Sequence, residues 1–568
     1  MPDVVFLTPN FHGYLAEESL GTLLLATVLQ NSGIHSKTLP YYQLGNIENF
    51  DEFLQNAVCR ISALEPKIVS FYSRCDCYHI ALKLAQRIKE HLPNTYIIFG
   101  GPQADLVARD TISCFPYIDY ICCGEGETTI VPFFSSLLCG TPDHTIRGLV
   151  YRESGQIVVN PRPELLEDLD SLPMIDYSLL EISSDSAQTS PYPFRIDVGR
   201  GCPFSCTFCS TKMFWGRKYR LKSPERIIEE IKYVHRKFGF THFSFEHDMF
   251  TLNREKVIHV CELIKNLDFD IRWSCSARID CLDKELIDIM ADAGLKHLYI
   301  GVETGSPRMQ KIIHKNLKLD NALELLTYIS SKGLNMVTSF IFGFPEETEE
   351  DFTQSMELML ELSKLPKCHV QHHLCAFFPG TELTNQYSQE FERSATSSDI
   401  TGAVAVQECE DIISAHPSLF LHFFEYKSEL REKIKSFPSF FKYWTTLRPV
   451  YEYIAAKYYP NQLCQMLYDF TEKNQSLLIA TPSTTDIIQE DWFIDAFSTD
   501  ENYRILKEIA RFFIWKANNK DNKSEVFAFD VHALLSGAPI DQIPHSFTIV
   551  RYTLDNNGKR KLTISKAM

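Results

Sequence analysis

Gly199-Arg-Gly-Cys-Pro-Phe-Ser-Cys-Thr-Phe-Cys209 follows a short β-rich run, Phe194–Val198, and sets Cys202, Cys206 and Cys209 on the loop where that strand ends. Three thiolates at C-x3-C-x2-C spacing can hold three irons of a 4Fe-4S cluster and leave the fourth iron open. A structural zinc or a ferredoxin-type cluster needs a fourth ligand, and none lies nearby in the sequence. The other cysteines, including Cys75, Cys77, Cys122 and Cys123, read as buried or cofactor-facing thiols.

Outward from this loop the chain alternates strand and helix patterns. Strand candidates at Phe194–Val198, His242–Glu246, Ile271–Ser276, His297–Val302, Asn335–Ile341 and Val370–Ala376 predict a partial (β/α)6 barrel over 194–385, with its chemistry at the C-terminal ends of the strands. Upstream, residues 1–140 carry Val4–Thr8, Ser36–Tyr41, Lys67–Tyr72, Tyr96–Phe99 and Tyr120–Cys123, with helical patterns between them. That alternation predicts a Rossmann-like, doubly wound parallel sheet. Its glycine-rich strand ends, Phe99-Gly-Gly-Pro102 and Cys123-Gly-Glu-Gly-Glu127, fall where such sheets bind ligands. Residues 141–193 read as a linker with a small ribbon around Gly148–Val159 and a polar stretch at Ser183–Ser190. Residues 386–568 read as a mainly helical domain, with amphipathic segments at Phe420–Phe440 and Tyr443–Lys457. The tail Phe547–Lys566 reads as a hairpin turning at Asn556-Asn-Gly558. The fold class is thus α/β, in three parts.

Composition bounds the function. The 568 residues carry a net charge of −17 and 17 cysteines. An acidic total argues against a nucleic-acid partner, whose backbone is gripped by basic faces. No run of about 18 apolar residues predicts a membrane span, and no signal-peptide pattern opens the sequence, so the expected location is the cytoplasm. In that compartment cysteines serve as metal ligands and core thiols, not disulfides.

From Phe194 to Leu383 the sequence resembles the radical S-adenosylmethionine (SAM) superfamily, on the strength of the three cysteines and the motifs spaced behind them. The resemblance implies that SAM binds the open iron and is cleaved to a 5′-deoxyadenosyl radical. It implies SAM contacts for Phe208, Glu246, Arg278 in Ser276-Ala-Arg-Ile-Asp280, Glu303 in Gly301-Val-Glu-Thr-Gly305, and the Gly343-Phe-Pro345 turn. Phe378-Pro-Gly-Thr381 matches the end of the sixth strand. Glu246, His247 and Asp248 also form a cluster that a second metal could use, against the plainer reading of SAM contact or helix cap. The resemblance further implies an electron donor such as flavodoxin or ferredoxin. No catalytic residue beyond the cluster ligands is assigned.

Residues 1–140 resemble the cobalamin-binding domain that precedes many radical SAM modules. Ser70, Ser73, Gly100, Gly101, Gly124, Glu125 and Gly126 are the positions this implies for the cofactor. The Asp-x-His-x-x-Gly motif of histidine-ligated members is absent, since Thr8-Pro-Asn-Phe-His-Gly13 lacks the Asp, so cobalamin without a protein histidine on cobalt is expected and His12 is not its ligand. The pairing resembles class B radical SAM methylases, which transfer a methyl group from methylcobalamin to an unactivated carbon. A peptide or natural-product substrate is expected, and a lipid-like intermediate fits equally well. Two alternatives stay open. One is an epimerase, cyclase or rearrangement enzyme on the same cluster, with Cys275, Cys281, Cys368 or Cys375 as hydrogen-donor candidates. The other, third in rank, is a methylthiotransferase.

Overall fold

The computed structural model describes all residues except 15–17, 181–189, 191, 395–404, 475–491, 519–523, 555–559 and 567–568. Five parallel strands form the first sheet: β1 (Val4–Thr8), β2 (Ser36–Pro40), β3 (Ile68–Tyr72), β4 (Tyr96–Gly100) and β5 (Tyr120–Cys122), in the order 2-1-3-4-5. Their apolar runs follow from burial on both faces. Val5, Leu7, Val69 and Phe71 enter one core, while Val4, Phe6, Ile68 and Ile98 enter the other. The helix Phe50–Ser62 covers the first with a stripe of Phe50, Phe53, Leu54, Ala57, Val58 and Ile61, the i, i+3, i+4 pattern of one helical face.

The ribbon placed in the linker belongs to this sheet. Strands β6 (Leu149–Glu153) and β7 (Gln156–Val159) extend it antiparallel to β5, with Tyr151 opposite Tyr120. The first sheet therefore runs past residue 140. A hairpin can add to an edge that a parallel strand leaves open, which sequence spacing alone does not reveal.

The second sheet is parallel throughout: β8 (Phe194–Asp197), then β11 (His242–Glu246), β12 (Arg272–Ala277), β13 (Leu295–Glu303), β14 (Asn335–Phe342) and β15 (Cys368–Leu374), each beside the next. Between β8 and β11 a two-residue ladder joins β9 (Gly199–Arg200) to β10 (Arg220–Leu221). No ladder joins β15 to β8 among the described residues, so the barrel is open, as the sequence predicts. The helix Pro224–Phe238 shows why such elements begin and end where they do. Ser223 caps it through Arg226 N–H, Pro224 opens it, and Gly239 closes it at φ 78°.

The described residues divide into two compact units, Met1–Glu346 with Lys364–Lys427, and Glu347–Ser363 with Ser428–Met568. Residues 405–424 thus belong with the first unit: Leu419, Phe420 and Phe423 join the first-sheet core, and Gln103 donates to the Leu419 carbonyl at 2.7 Å. The expected helical segment Phe420–Phe440 is broken into a 3-10 turn (Leu421–Phe423), a strand (Phe424–Tyr426) and two helices (Glu429–Ile434 and Phe437–Thr446). Closely spaced aromatics look helical in sequence, but these serve different packing surfaces. The second unit packs Phe352, Phe437, Phe440, Trp444, Tyr451 and Phe470 edge to face. The tail forms antiparallel strands Thr548–Leu554 and Arg560–Lys566, while the turn at Asn556–Gly558 and the stretch Ser183–Thr189 lie outside the described residues.

Candidate functional site

The cysteine loop is held from beneath. Gly199 crosses so close to Arg220 and His247 that a Cβ there would stand 2.5 Å from the imidazole Cδ2. Gly201 adopts φ 85° against the Lys218 carbonyl, where a Cβ has no room. Its N–H donates to the Asp248 carboxylate at 3.2 Å. His247 is buried and held down to about 4 by that burial, hence neutral; its Nδ1 accepts from Met249 N–H at 2.7 Å, leaving Nε2–H to donate to the Arg220 carbonyl. His247 and Asp248 are therefore props of the loop, and the second-metal reading finds no support in their contacts. Gly201→Ala is expected to lower iron uptake on reconstitution several-fold while leaving far-UV circular dichroism unchanged, because the strain is confined to the loop. Full iron loading in that variant would contradict the account.

Cys206 is buried and Cys202 and Cys209 are half-buried. Burial pushes the Cys202 thiol up to about 11, and the neighbouring Cys209 and Cys206 push it the same way. Burial also raises Cys206, against the pull of Lys315. Among the described residues no three His, Cys, Asp or Glu side chains converge as a single metal ion requires. A cubane cluster takes one thiolate per iron, so three neighbouring but separate sulfurs suit it and leave one iron without a protein ligand.

Around this loop lie several residues singled out from sequence. Phe208 packs 5.9 Å from Phe344, in a small core with Met309, Ile313 and Phe377. Gly343 stands at φ 78° after β14, followed by Pro345. Arg278 is buried; it stacks 4.0 Å over Phe204 of the cysteine loop, donates to Asp280 at 2.8 Å and donates to the Lys315 carbonyl. Its guanidinium thus braces the loop. Glu303 ends β13 at a bulge with φ 71°, a costly conformation for a non-glycine residue, and pairs with Lys315 at 2.8 Å. Gly301 leaves the room that this pair occupies. Lys315, the neighbour of both Glu303 and Cys206, was not foreseen from sequence. Of the hydrogen-donor candidates, Cys275 and Cys375 are buried, and Cys368 lies 3.7 Å from the Thr338 hydroxyl.

A cavity of about 1430 Å³ opens on this loop. The first sheet contributes Ser70 from the middle of β3 and Gly100, Gly101, Gly124, Glu125 and Gly126 from the C-terminal ends of β4 and β5, and the barrel contributes Ser244, Glu246, Ser276 and Tyr299. Ser73 is instead fully buried, its hydroxyl bonded to the Gly100 carbonyl at 2.6 Å. Glu246 accepts from Ser244 at 2.8 Å and from Arg195 at 3.1 Å. Glu125 is the surprise. It accepts from Arg200 at 2.6 Å and from Arg220 at 2.9 Å, and Arg200 also reaches Glu127 at 2.6 Å, with the Trp215 ring against both guanidiniums. Burial alone would raise the Glu125 carboxyl, yet Arg220 and Arg200 together hold it below the ordinary carboxylate range. His12 stacks on Tyr14 at 6.0 Å and does not line the cavity.

The model of the radical SAM superfamily matches residues 196–359. Over 323 residues the chain is 30% identical to an uncharacterized methyltransferase of Pyrococcus horikoshii, an alignment spanning 57% of this chain and 70% of that one. The chain belongs to the radical SAM superfamily. It is also 26% identical to the anaerobic magnesium-protoporphyrin IX monomethyl ester cyclase of Cereibacter sphaeroides, over 62% of this chain and 59% of that one. Among solved structures, the cobalamin-dependent SAM radical enzyme OxsB, with aqua-cobalamin and SAM bound, has the same fold at a TM-score of 0.61 and 15% identity, covering 91% of this chain and 80% of that one. This chain is a radical SAM enzyme. No helix among the described residues is long and apolar enough to cross a membrane.

Proposed function

We propose that this radical SAM enzyme is a cobalamin-dependent C-methyltransferase acting on an unactivated carbon. The observation that carries the reading is one cavity walled by both αβ sheets and bordered by Gly199, Arg200 and Ser210, which flank the three cysteines. The methyltransferase name of the Pyrococcus relative and the cobalamin in the OxsB structure point the same way. When bound, the cluster would supply the electron that cleaves SAM, and cobalamin would supply the methyl carrier.

The protein's own part is positional. Cys202, Cys206 and Cys209 would hold the cluster. Gly100, Gly101, Gly124 and Gly126 line the cavity and would border a broad, flat cofactor, with the Ser70 hydroxyl beside them. Glu303, Gly343 and Pro345 would hold SAM beside the cluster, and Phe208, packed on Phe344, would back the loop. Walls on two sides exclude water from a radical site.

The test is product stoichiometry. Anaerobically reconstituted protein, given cobalamin, SAM, a reductant and candidate peptides or small metabolites, is expected to yield S-adenosylhomocysteine together with 5′-deoxyadenosine. Formation of 5′-deoxyadenosine alone would shift the reading to cyclisation or epimerisation. Failure to alter the visible spectrum of added cobalamin would remove the methylase reading.

A further inference from the structure

The cavity does not stop at the C-terminal ends of the barrel strands. It continues down the lumen to their N-terminal ends, where His242, Arg272, Lys296, His297 and Asn335 line it. Strand register brings these residues together. His242 sits opposite Arg272, Ser274 opposite His297, and His297 opposite Asn335. Arg272, Lys296, His242 and Asn335 are exposed, and His297 is half-buried.

This is an unbalanced charge. In a chain of net charge −17, neither Arg272 nor Lys296 has a carboxylate within ion-pair reach among the described residues. Burial and Arg272 both hold the His242 imidazole below its ordinary range, and burial with His242 and His369 does the same to His297. Arg272 and Lys296 are thus two cations on one rim, beside imidazoles kept from protonating. Between this rim and the cysteine loop the lumen is lined by the hydroxyls of Ser244, Ser274, Ser276 and Tyr299. Ser244 donates to Glu246 and Ser274 to the Phe243 carbonyl at 3.4 Å, which leaves the oxygen of each hydroxyl to accept from a polar substrate. From His242 to Glu246 the strand rises about 13 Å.

We propose that the substrate is a polar, elongated anion whose phosphate, phosphonate or carboxylate group is held by Arg272, Lys296 and His297 at the N-terminal end of the barrel, its reacting carbon lying toward the cysteine loop. The proposal rests on the reading of the cavity as the reaction chamber and narrows its substrate class. Arg can grip an oxyanion with two parallel bonds, and Lys adds a point charge.

The test needs no cofactor. Purified full-length chain is titrated by calorimetry with phenylphosphonate, phenylacetate and neutral benzyl alcohol. The expected result is binding of one or both anions, no binding of the alcohol, and at least tenfold weaker anion binding in Arg272→Gln/Lys296→Gln, with His297→Gln weakening it less. Preference between the two anions distinguishes a phosphoryl from a carboxylate substrate. Both lysine and arginine are exposed, so the double variant should keep its thermal midpoint, and that control separates lost contacts from lost folding. Binding equal in wild type and double variant, binding of neither anion, or equal binding of the alcohol would overturn the proposal. Because iron and cobalamin are absent from this titration, its failure leaves the methylase reading standing, and failure of the product test leaves this one standing.

Discussion

Replacing Cys206 by alanine is expected to abolish SAM cleavage. The variant should lose the visible absorbance of the reconstituted protein, and 5′-deoxyadenosine formation should fall at least a thousandfold, about 4 kcal/mol of barrier. Cys206 is the most enclosed of the three thiols, and its Sγ lies toward the His314 carbonyl, beside Lys315. With the thiol protonated by burial, only iron draws it into the thiolate form, so a missing ligand is not replaced by a neighbour. The surrounding backbone bonds do not involve the sulfur: Thr207 N–H donates to the Ile313 carbonyl, and Leu383 N–H to that of Thr207. The chain should therefore fold with an unchanged thermal midpoint. Iron content is the direct check: about four per chain in the parent and a small fraction of that in the variant. Retained absorbance with retained SAM cleavage would mean that the cluster sits elsewhere.

How much of this could be read from sequence follows physical lines. The parallel strands were legible because burial on both faces demands unbroken apolar runs such as Val4-Val-Phe-Leu7. The cysteine loop was legible because metal ligands must be close in the chain or announce themselves by residue type. The props beneath it were not. Arg200 adjoins the cysteines and Glu125 stands in Gly-Glu-Gly-Glu, but 75 residues separate the partners, and no local pattern joins them. The Gly-Glu-Gly-Glu run at a strand exit carried a signal for this ion pair as well as for the cofactor site expected there, and Glu125 lines the cavity. Arg278 adds a local example: Asp280, two residues on, gives its guanidinium a carboxylate partner that the expected SAM contact did not include. The ribbon at 149–159 was legible, but its place in the first sheet was not, because a strand's partner depends on which edge is free.

Glu125→Gln is expected to destabilise the first unit strongly. The carboxylate is almost wholly buried, between Arg200 and Arg220. Arg200 would keep Glu127, but Arg220 would keep only the Leu166 carbonyl, since its Nε and Nη2 are buried without hydrogen-bond partners and rest against Trp215. Stranding a buried guanidinium in this way costs about 3–5 kcal/mol. Denaturant midpoints should drop accordingly at neutral pH, and iron uptake should fall with them, because Arg200 leads directly into Gly201 and Cys202. The pH dependence has a definite sign. The folded carboxyl is held below its ordinary value of 4.5, so its contribution is complete above that pH and disappears as the pH falls through the depressed value. The gap between parent and variant should thus be constant from pH 5 to 8 and shrink in acid. Glu125→Gln/Arg220→Met removes both charges and should recover part of the loss, which distinguishes a stranded charge from a packing defect. If the double variant were as unstable as the sum of the two single ones, the pair would be incidental, and the loop would owe its position to Gly199, Gly201 and Asp248 alone.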